Sequence, residues 1–169
     1  MVLLCLWLYA LIEVSALLVL KPLGLDQALA VAKKERLTDW ASDYPQDSDV
    51  EIAAYLIDRK DAPWPCLSHY QIFDQKAQQV IGGIGYWKRG RKKEIEIGYS
   101  VVPSRHNAGV ATDCLRVLTA KLRNEFPDSA LLLRIEQKNE PSLAVAAKVG
   151  FSDISLDFDM CTLILHFQD

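Results

Sequence analysis

Residues 101–115 read VVPSRHNAGVATDCL, and the way this stretch folds decides the rest of the chain. Pro103 closes an apolar extended segment and a loop of small and polar residues follows. The pattern then turns helical, with Ala111, Cys114, Leu115, Leu118 and Leu122 on one face. A strand, a short loop and a helix in that order aim the backbone N–H groups from His106 to Thr112 at one point, the positive end of the helix dipole. Such a turn cradles an anion, most naturally a pyrophosphate. Ala108, Gly109 and Ala111 suit that task because bulky side chains would hold a phosphate off the backbone, and Gly109 also permits a positive φ. The same residues equally make a tight strand-to-helix connection with no ligand.

Immediately upstream, EIEIGYSVV (residues 94–102) alternates strictly. Ile95, Ile97, Tyr99 and Val101 fall on one face of a strand, and Glu94, Glu96, Gly98 and Ser100 on the other. Before it, His69 to Phe73 and Gln79 to Trp87 read as strands joined by the polar turn DQKAQ, and DAPWPC is a proline-marked loop. Ser48 with Glu51 three residues later has the spacing of a capping box and opens a helix to about Asp58. Leu25 to Leu37 carries the helical period, and Ser15 to Pro22 reads as a short buried strand. Downstream, Leu131 to Glu136 is a buried strand, Pro141 and Gly150 bracket a short helix, and Ile154 to Phe167 forms one or two final strands. The predicted order is β, α, α, β, β, β, α, β, α, β. No repeat or long linker divides it, so residues 15–169 are expected to form a single domain.

Half of the 169 residues are hydrophobic and 24% are charged, which excludes a disordered or low-complexity chain. With 19 basic against 22 acidic residues there is no cationic field to attract nucleic acid. The local exception is Lys88, Arg89, Arg91, Lys92 and Lys93 around Gly90, read either as a solvated hairpin tip or as a patch for a phosphate or acidic substrate. Cys5, Cys66, Cys114 and Cys161 form no paired motif and no metal-ligand spacing, so a reduced cytoplasmic setting without metal is expected. Cys114 and Cys161 fall on apolar positions and read as small core residues, while His69 and His166 read as strand residues. The opening MVLLCLWLYALIEV lacks the basic start of a signal peptide. Once Ser15 to Leu20 is assigned to a strand, it is too short to span a bilayer. Residues 1–14 are therefore expected to be an apolar extension, and a membrane-tethered form stays open.

There is no GxSxG, HExxH or Walker loop. The glycines of GGIGYWKRG lie within a strand, so they do not form a dinucleotide loop.

From Ser15 onward, about nine-tenths of the chain, the sequence resembles the GCN5-related N-acetyltransferases (GNAT), most closely the branch containing ribosomal-protein N-terminal acetyltransferases. The family's Arg/Gln-x-x-Gly-x-Gly/Ala motif is matched by His106, Asn107, Ala108, Gly109, Val110 and Ala111, continued by Thr112, Asp113 and Leu115. A second motif, Asn-x-x-Ser followed by Lys-x-Gly-Phe, is matched by Asn139, Ser142, Lys148, Gly150 and Phe151. His106 stands where the family usually has Arg or Gln, with Arg105 beside it to compensate. Ala146 stands where many members carry a Tyr, so acid catalysis by Tyr at that position is excluded.

The resemblance implies an α/β (α+β) GNAT fold, a mixed sheet of about six to seven strands flanked by about four helices. It also implies acetyl-CoA as donor and direct attack by an amine, either a peptide N-terminus or a small molecule. Glu96 is the candidate general base, with Glu94 as its rival on the same face. The N–H groups near Val101 and Val102 are the expected oxyanion and pantetheine donors, and the loop from His106 to Thr112 binds phosphate. Asn139 is expected on the CoA arm and Ser142 on the departing thiolate, and both also suit helix capping. Trp40, Tyr44 and Trp64 fall on the family's variable substrate wall. A non-catalytic acyl-CoA-binding module is the alternative, and a homodimer stays open.

Overall fold

The computed structural model describes residues 11–59, 66–89 and 93–165. Residues 1–10, Trp64, Gly90, Arg91, Lys92 and His166 lie outside the described residues, so most of the apolar extension and the centre of the basic cluster do too. Eight strands form one mixed sheet in the order β1-β2-β3-β4-β5-β6-β8-β7. They are β1 (Ile12–Glu13), β2 (Leu18–Leu23), β3 (Cys66–Asp74), β4 (Gln79–Lys88), β5 (Glu94–Val101), β6 (Ala130–Glu136), β7 (Ser152–Asp157) and β8 (Met160–Leu165). Four helices accompany them: α1 (Leu25–Ala32), α2 (Asp47–Asp58), α3 (Val110–Glu125) and α4 (Glu140–Val149). This is the mixed sheet with four helices expected of the GNAT fold. The sheet exceeds the expected six to seven strands because two residues of the extension, Ile12 and Glu13, pair with Leu20 and Val19. In addition, the last apolar run folds back at Phe158 into an antiparallel pair.

The chain forms two compact units, Met1–Ile84 with Tyr99–Val110, and Gly85–Gly98 with Ala111–Asp169. Strands β4 and β5 each run through both.

In the first unit, β2 pairs antiparallel with β3, and a bulge between Pro22 and Leu23 accommodates the proline, which has no N–H to give the ladder. Its core is Leu20, Ala28, Val31, Leu56, Ile72, Val80 and Ile81, all essentially buried. The β3–β4 turn is held by Asp74 Oδ1, which accepts the N–H groups of Lys76 and Ala77, both at 2.9 Å. Helix α1 stops at Ala32 rather than Leu37, because Lys34 takes a positive φ of 55° and turns the chain. Helix α2 begins one residue before Ser48, with Gln46 as its cap. The box is Gln46 with Asp49, not Ser48 with Glu51.

In the second unit, β5 and β6 run parallel and β6, β8 and β7 antiparallel. Leu115, Leu118 and Leu122 of α3 are fully buried, as are Leu131 and Leu133 of β6. Helix α4 ends at Gly150 with φ 101°, and the Phe151 N–H reaches the Ala146 carbonyl at 3.0 Å. That is the left-handed cap with a buried aromatic behind it. Cys114 and Cys161 are buried free thiols as expected. Burial, with the charge of Asp113, pushes Cys114 up to about 12.

Candidate active site

In the first unit, the end of β5 runs into a single turn at Pro103–Arg105, and the loop then enters α3 at Val110. His106 through Gly109 are exposed, and Val110 is buried. Asn107 and Gly109 both take positive φ, 61° and 81°. Left-handed residues in a short loop present backbone N–H groups on one concave side. The first-turn N–H groups of α3 have no acceptor within the helix. The small residues Ala108 and Gly109 are exposed, which fits a pyrophosphate, but the N–H of His106, expected among its donors, is given to the Pro103 carbonyl at 3.1 Å.

Three side chains brace the loop. Asp43 accepts the Ser104 N–H at 2.9 Å on Oδ2 and the Ser104 hydroxyl at 3.0 Å on Oδ1. Asp74 pairs with Arg105 at 3.5 Å, so the guanidinium expected to compensate for His106 is engaged on a carboxylate. The ring of His106 lies with Nε2 2.9 Å from the Val101 carbonyl oxygen, tying the loop back to the strand. The segment carrying Asp43 is held in turn by Arg36, whose Nη1 donates to Ser42 and Tyr44 and Nη2 to Trp40 and Ala41.

The two expected oxyanion donors differ. Val102 is fully buried and its N–H donates to the Ile81 carbonyl at 2.9 Å, so it is already spent on the chain. Successive N–H groups of an extended chain point to opposite sides, so the Val101 N–H turns away from β4. The pairing of β5 with β6 runs from Glu94↔Ala130 to Ile97↔Leu133 and ends there, although β5 continues to Val101.

Next to these residues lies a polar group the sequence reading missed. Ser100 Oγ donates to Asp49 Oδ1 at 2.5 Å and accepts the Gly83 N–H at 3.2 Å. Asp49 Oδ2 accepts the Gln46 N–H at 2.9 Å. A Cβ on Gly83 would stand 2.7 Å from Asp49 Oδ1, so only glycine leaves the carboxylate its place. Burial pushes the Asp49 carboxyl above the ordinary range, against the lowering effect of the Ser100 and Gln46 hydrogen bonds. Tyr44 is buried edge-on to Trp40 with centroids 5.0 Å apart, and its hydroxyl takes a bond from Gln71 Nε2 at 3.3 Å. Burial, then the Asp49 charge, raises its phenol.

In the second unit, Glu96 is 6% exposed and its Oε2 is ion-paired with Arg89 Nε. Glu94 is half-buried, so burial together with an arginine partner distinguishes Glu96 from its rival. Asn139 caps α4, its side chain accepting the Ser142 N–H at 3.2 Å. The capping role open to Asn139 is thus realised, and it fixes the backbone of Ser142. Thr112 is buried in the first turn of α3. Among the described residues no group of three His, Cys, Asp or Glu side chains could hold a metal, and no helix is long and apolar enough to cross a membrane.

Beyond Ile97 the pairing of β5 with β6 stops, and β5 leads through an exposed loop with two left-handed residues into α3. A family model for the acetyltransferase (GNAT) domain matches residues 18–152, and the chain belongs to that family of acyltransferases. Solved structures agree on the fold. A GNAT-family acetyltransferase from Bacillus anthracis is 14% identical, with a TM-score of 0.66 over 92% of this chain and 97% of its own. A ribosomal-protein-S5-alanine acetyltransferase from Vibrio fischeri is 13% identical, with a TM-score of 0.63 over 89% and 93%. A ribosomal L7/L12 α-N-protein acetyltransferase in complex with coenzyme A is 17% identical, with a TM-score of 0.65 over 91% and 96%. No curated protein is significantly similar in sequence.

Proposed function

We propose that the protein transfers the acetyl group of acetyl-CoA to a primary amine, a peptide N-terminus or a small molecule, by direct attack on the thioester. The observation that carries this reading is the exposed loop His106–Gly109, with its two left-handed residues, running from a strand end that β6 no longer pairs into the N-terminus of α3. That loop receives the pyrophosphate on the N–H groups of Asn107, Ala108, Gly109, Val110, Ala111 and Thr112, whereas the N–H of His106, expected among them, is given to the Pro103 carbonyl at 3.1 Å. The Val101 N–H, turned away from β4, serves the donor as oxyanion or pantetheine contact. The Val102 N–H, taken by Ile81, braces the strand instead.

The chemistry needs a neutral amine, a polarised carbonyl and a proton for the leaving thiolate. As the C–N bond forms, Glu96 takes the proton released by the amine, directly or through water, and Arg89 fixes the carboxylate that receives it. As the C–S bond breaks, Ser142 hydrogen-bonds the thiolate or relays to it a proton taken from solvent, on a helix start whose backbone Asn139 holds. Asn139 also meets the CoA arm. No metal is needed in this scheme.

Glu96→Gln should lower kcat about ten- to a hundredfold and change its pH dependence, with acetyl-CoA binding kept. An unchanged pH–rate profile would remove Glu96 from the role. For the activity itself, the full chain is incubated with acetyl-CoA and a panel of amines, and CoA thiol release is followed beside calorimetric binding. Transfer to any amine supports the proposal. Tight CoA binding without transfer would make the chain a binding module, and absence of binding would overturn both.

A further inference from the structure

We infer that Asp49 is the carboxylate on which the acceptor's ammonium group docks, with Ser100 and Gly83 holding it in position. The inference rests on the acetyl-transfer reading and names the charge of its second substrate. Asp49 Oδ1 takes the Ser100 hydroxyl and Oδ2 the Gln46 N–H. A carboxylate has about four lone-pair sites, so about two are left over. The groups around it come from four places: Gln46 from the start of its own helix, Tyr44 from the preceding segment, Gly83 from β4 and Ser100 from β5. None of them is a cation.

The basic residues of the α1–α2 connection are spent elsewhere. Lys33 pairs with Glu35, Lys34 pairs with Asp47 at 2.8 Å, and Arg36 is committed to four backbone carbonyls. A half-buried carboxylate with hydrogen bonds but no counter-charge is costly in the free protein, and a bound cation relieves that cost. Glu96 presents the contrast, since its own arginine already neutralises it. Glu96 and Ser100 fall on one face of β5 by strand alternation. Ser100 also adjoins Val101, whose N–H serves the donor in the proposed reaction. Of the two carboxylates, Asp49 is the one without a cationic partner among the described residues, so an amine arriving as an ammonium ion docks there, beside the residue expected to contact the donor, and gives one proton to solvent before it attacks as the neutral amine.

Asp49 is thus a binding residue, while Ser100 acts through it and is a positioning residue. Helix capping alone would explain the Gln46 bond but not the Ser100 bond or the glycine that makes room for it.

Two probes decide the matter in the full chain, a seryl tripeptide and 1,4-diaminobutane, with acetyl-CoA as donor. For whichever amine is acetylated faster, Asp49→Asn should raise its KM about tenfold or more, while the KM for acetyl-CoA and kcat change about twofold or less. Ser100→Ala, which leaves the start of α2 intact, should raise the amine KM about threefold and leave the acetyl-CoA KM alone, so the test survives a poorly folding Asp49 variant. Glu96→Gln should act on kcat instead. An unchanged amine KM in both Asp49→Asn and Ser100→Ala overturns the docking role while transfer stands. If neither probe is acetylated, the same two variants are measured with whichever amine of the panel is, and a wild-type chain that acetylates no amine at all overturns the docking role together with the transfer reading beneath it.

Discussion

His69 in β3 is 7% exposed, with Ser68 Oγ 3.0 Å from its Nδ1. Burial, with the charge of Arg59, brings the imidazole down from its ordinary 6.5 to about 4. The native state then binds fewer protons than the unfolded state between those values, so stability rises with pH across that window. The contribution is complete above about pH 6.5 and disappears as the pH falls towards 4, on the order of 3 kcal/mol at most. Urea titrations between pH 4 and 7 should show this slope in the wild type and a flatter one in His69→Gln; equal slopes would refute the assignment. The strand position of His69 was legible in its apolar surroundings, but its titration was not, because that depends on packing.

The same division runs through the candidate site. The alternation of EIEIGYSVV places Glu96 on a face with Ser100, yet nothing local marks Arg89 as its partner, because the two meet only after the chain has turned back. Asp49 and Ser100 are 51 residues apart, and no periodicity links a helix start to the end of a distant strand.

At the scale of elements, the strand, loop and helix of residues 94–125 were legible because three signals agree: period 2, a proline stop and period 3.6. The cap of α2 lies two positions before the expected one. Asp49 satisfies the Gln46 N–H as a box residue, and Ser48 with Glu51 merely has the right spacing. The end of α1 was misread too, since an apolar residue at 37 continues the pattern while Lys34 has already left the helix.

The loop itself yields a prediction. Gly109 at φ 81° is in the left-handed region, where a β-branched residue costs about 1–3 kcal/mol. Gly109→Val should therefore weaken acetyl-CoA binding about tenfold or more in calorimetry through lost access and geometry. If Gly109→Val bound as tightly as wild type, the loop would not be the phosphate cradle.

At the scale of the whole molecule, the family match spans residues 18–152 and leaves out β1, all of β7 but Ser152, and the whole of β8. The strand beyond the expected six to seven is β1. A two-residue pairing such as Ile12–Glu13 is too short to carry a periodic signal, whereas the last apolar run, expected as one or two strands, forms two by folding back at Phe158. The opening apolar stretch looked like one unit, but the structure gives its end to the sheet and starts β2 at Leu18. A net charge of -3 gives the chain no general basic field.

The most direct test of acetyl transfer combines the full chain, acetyl-CoA and a seryl tripeptide or 1,4-diaminobutane, and follows free CoA thiol and the mass of the amine together. The account predicts equal amounts of CoA and singly acetylated amine, formed only in the presence of the protein. Protein that neither binds acetyl-CoA nor releases CoA in the presence of either amine would contradict it.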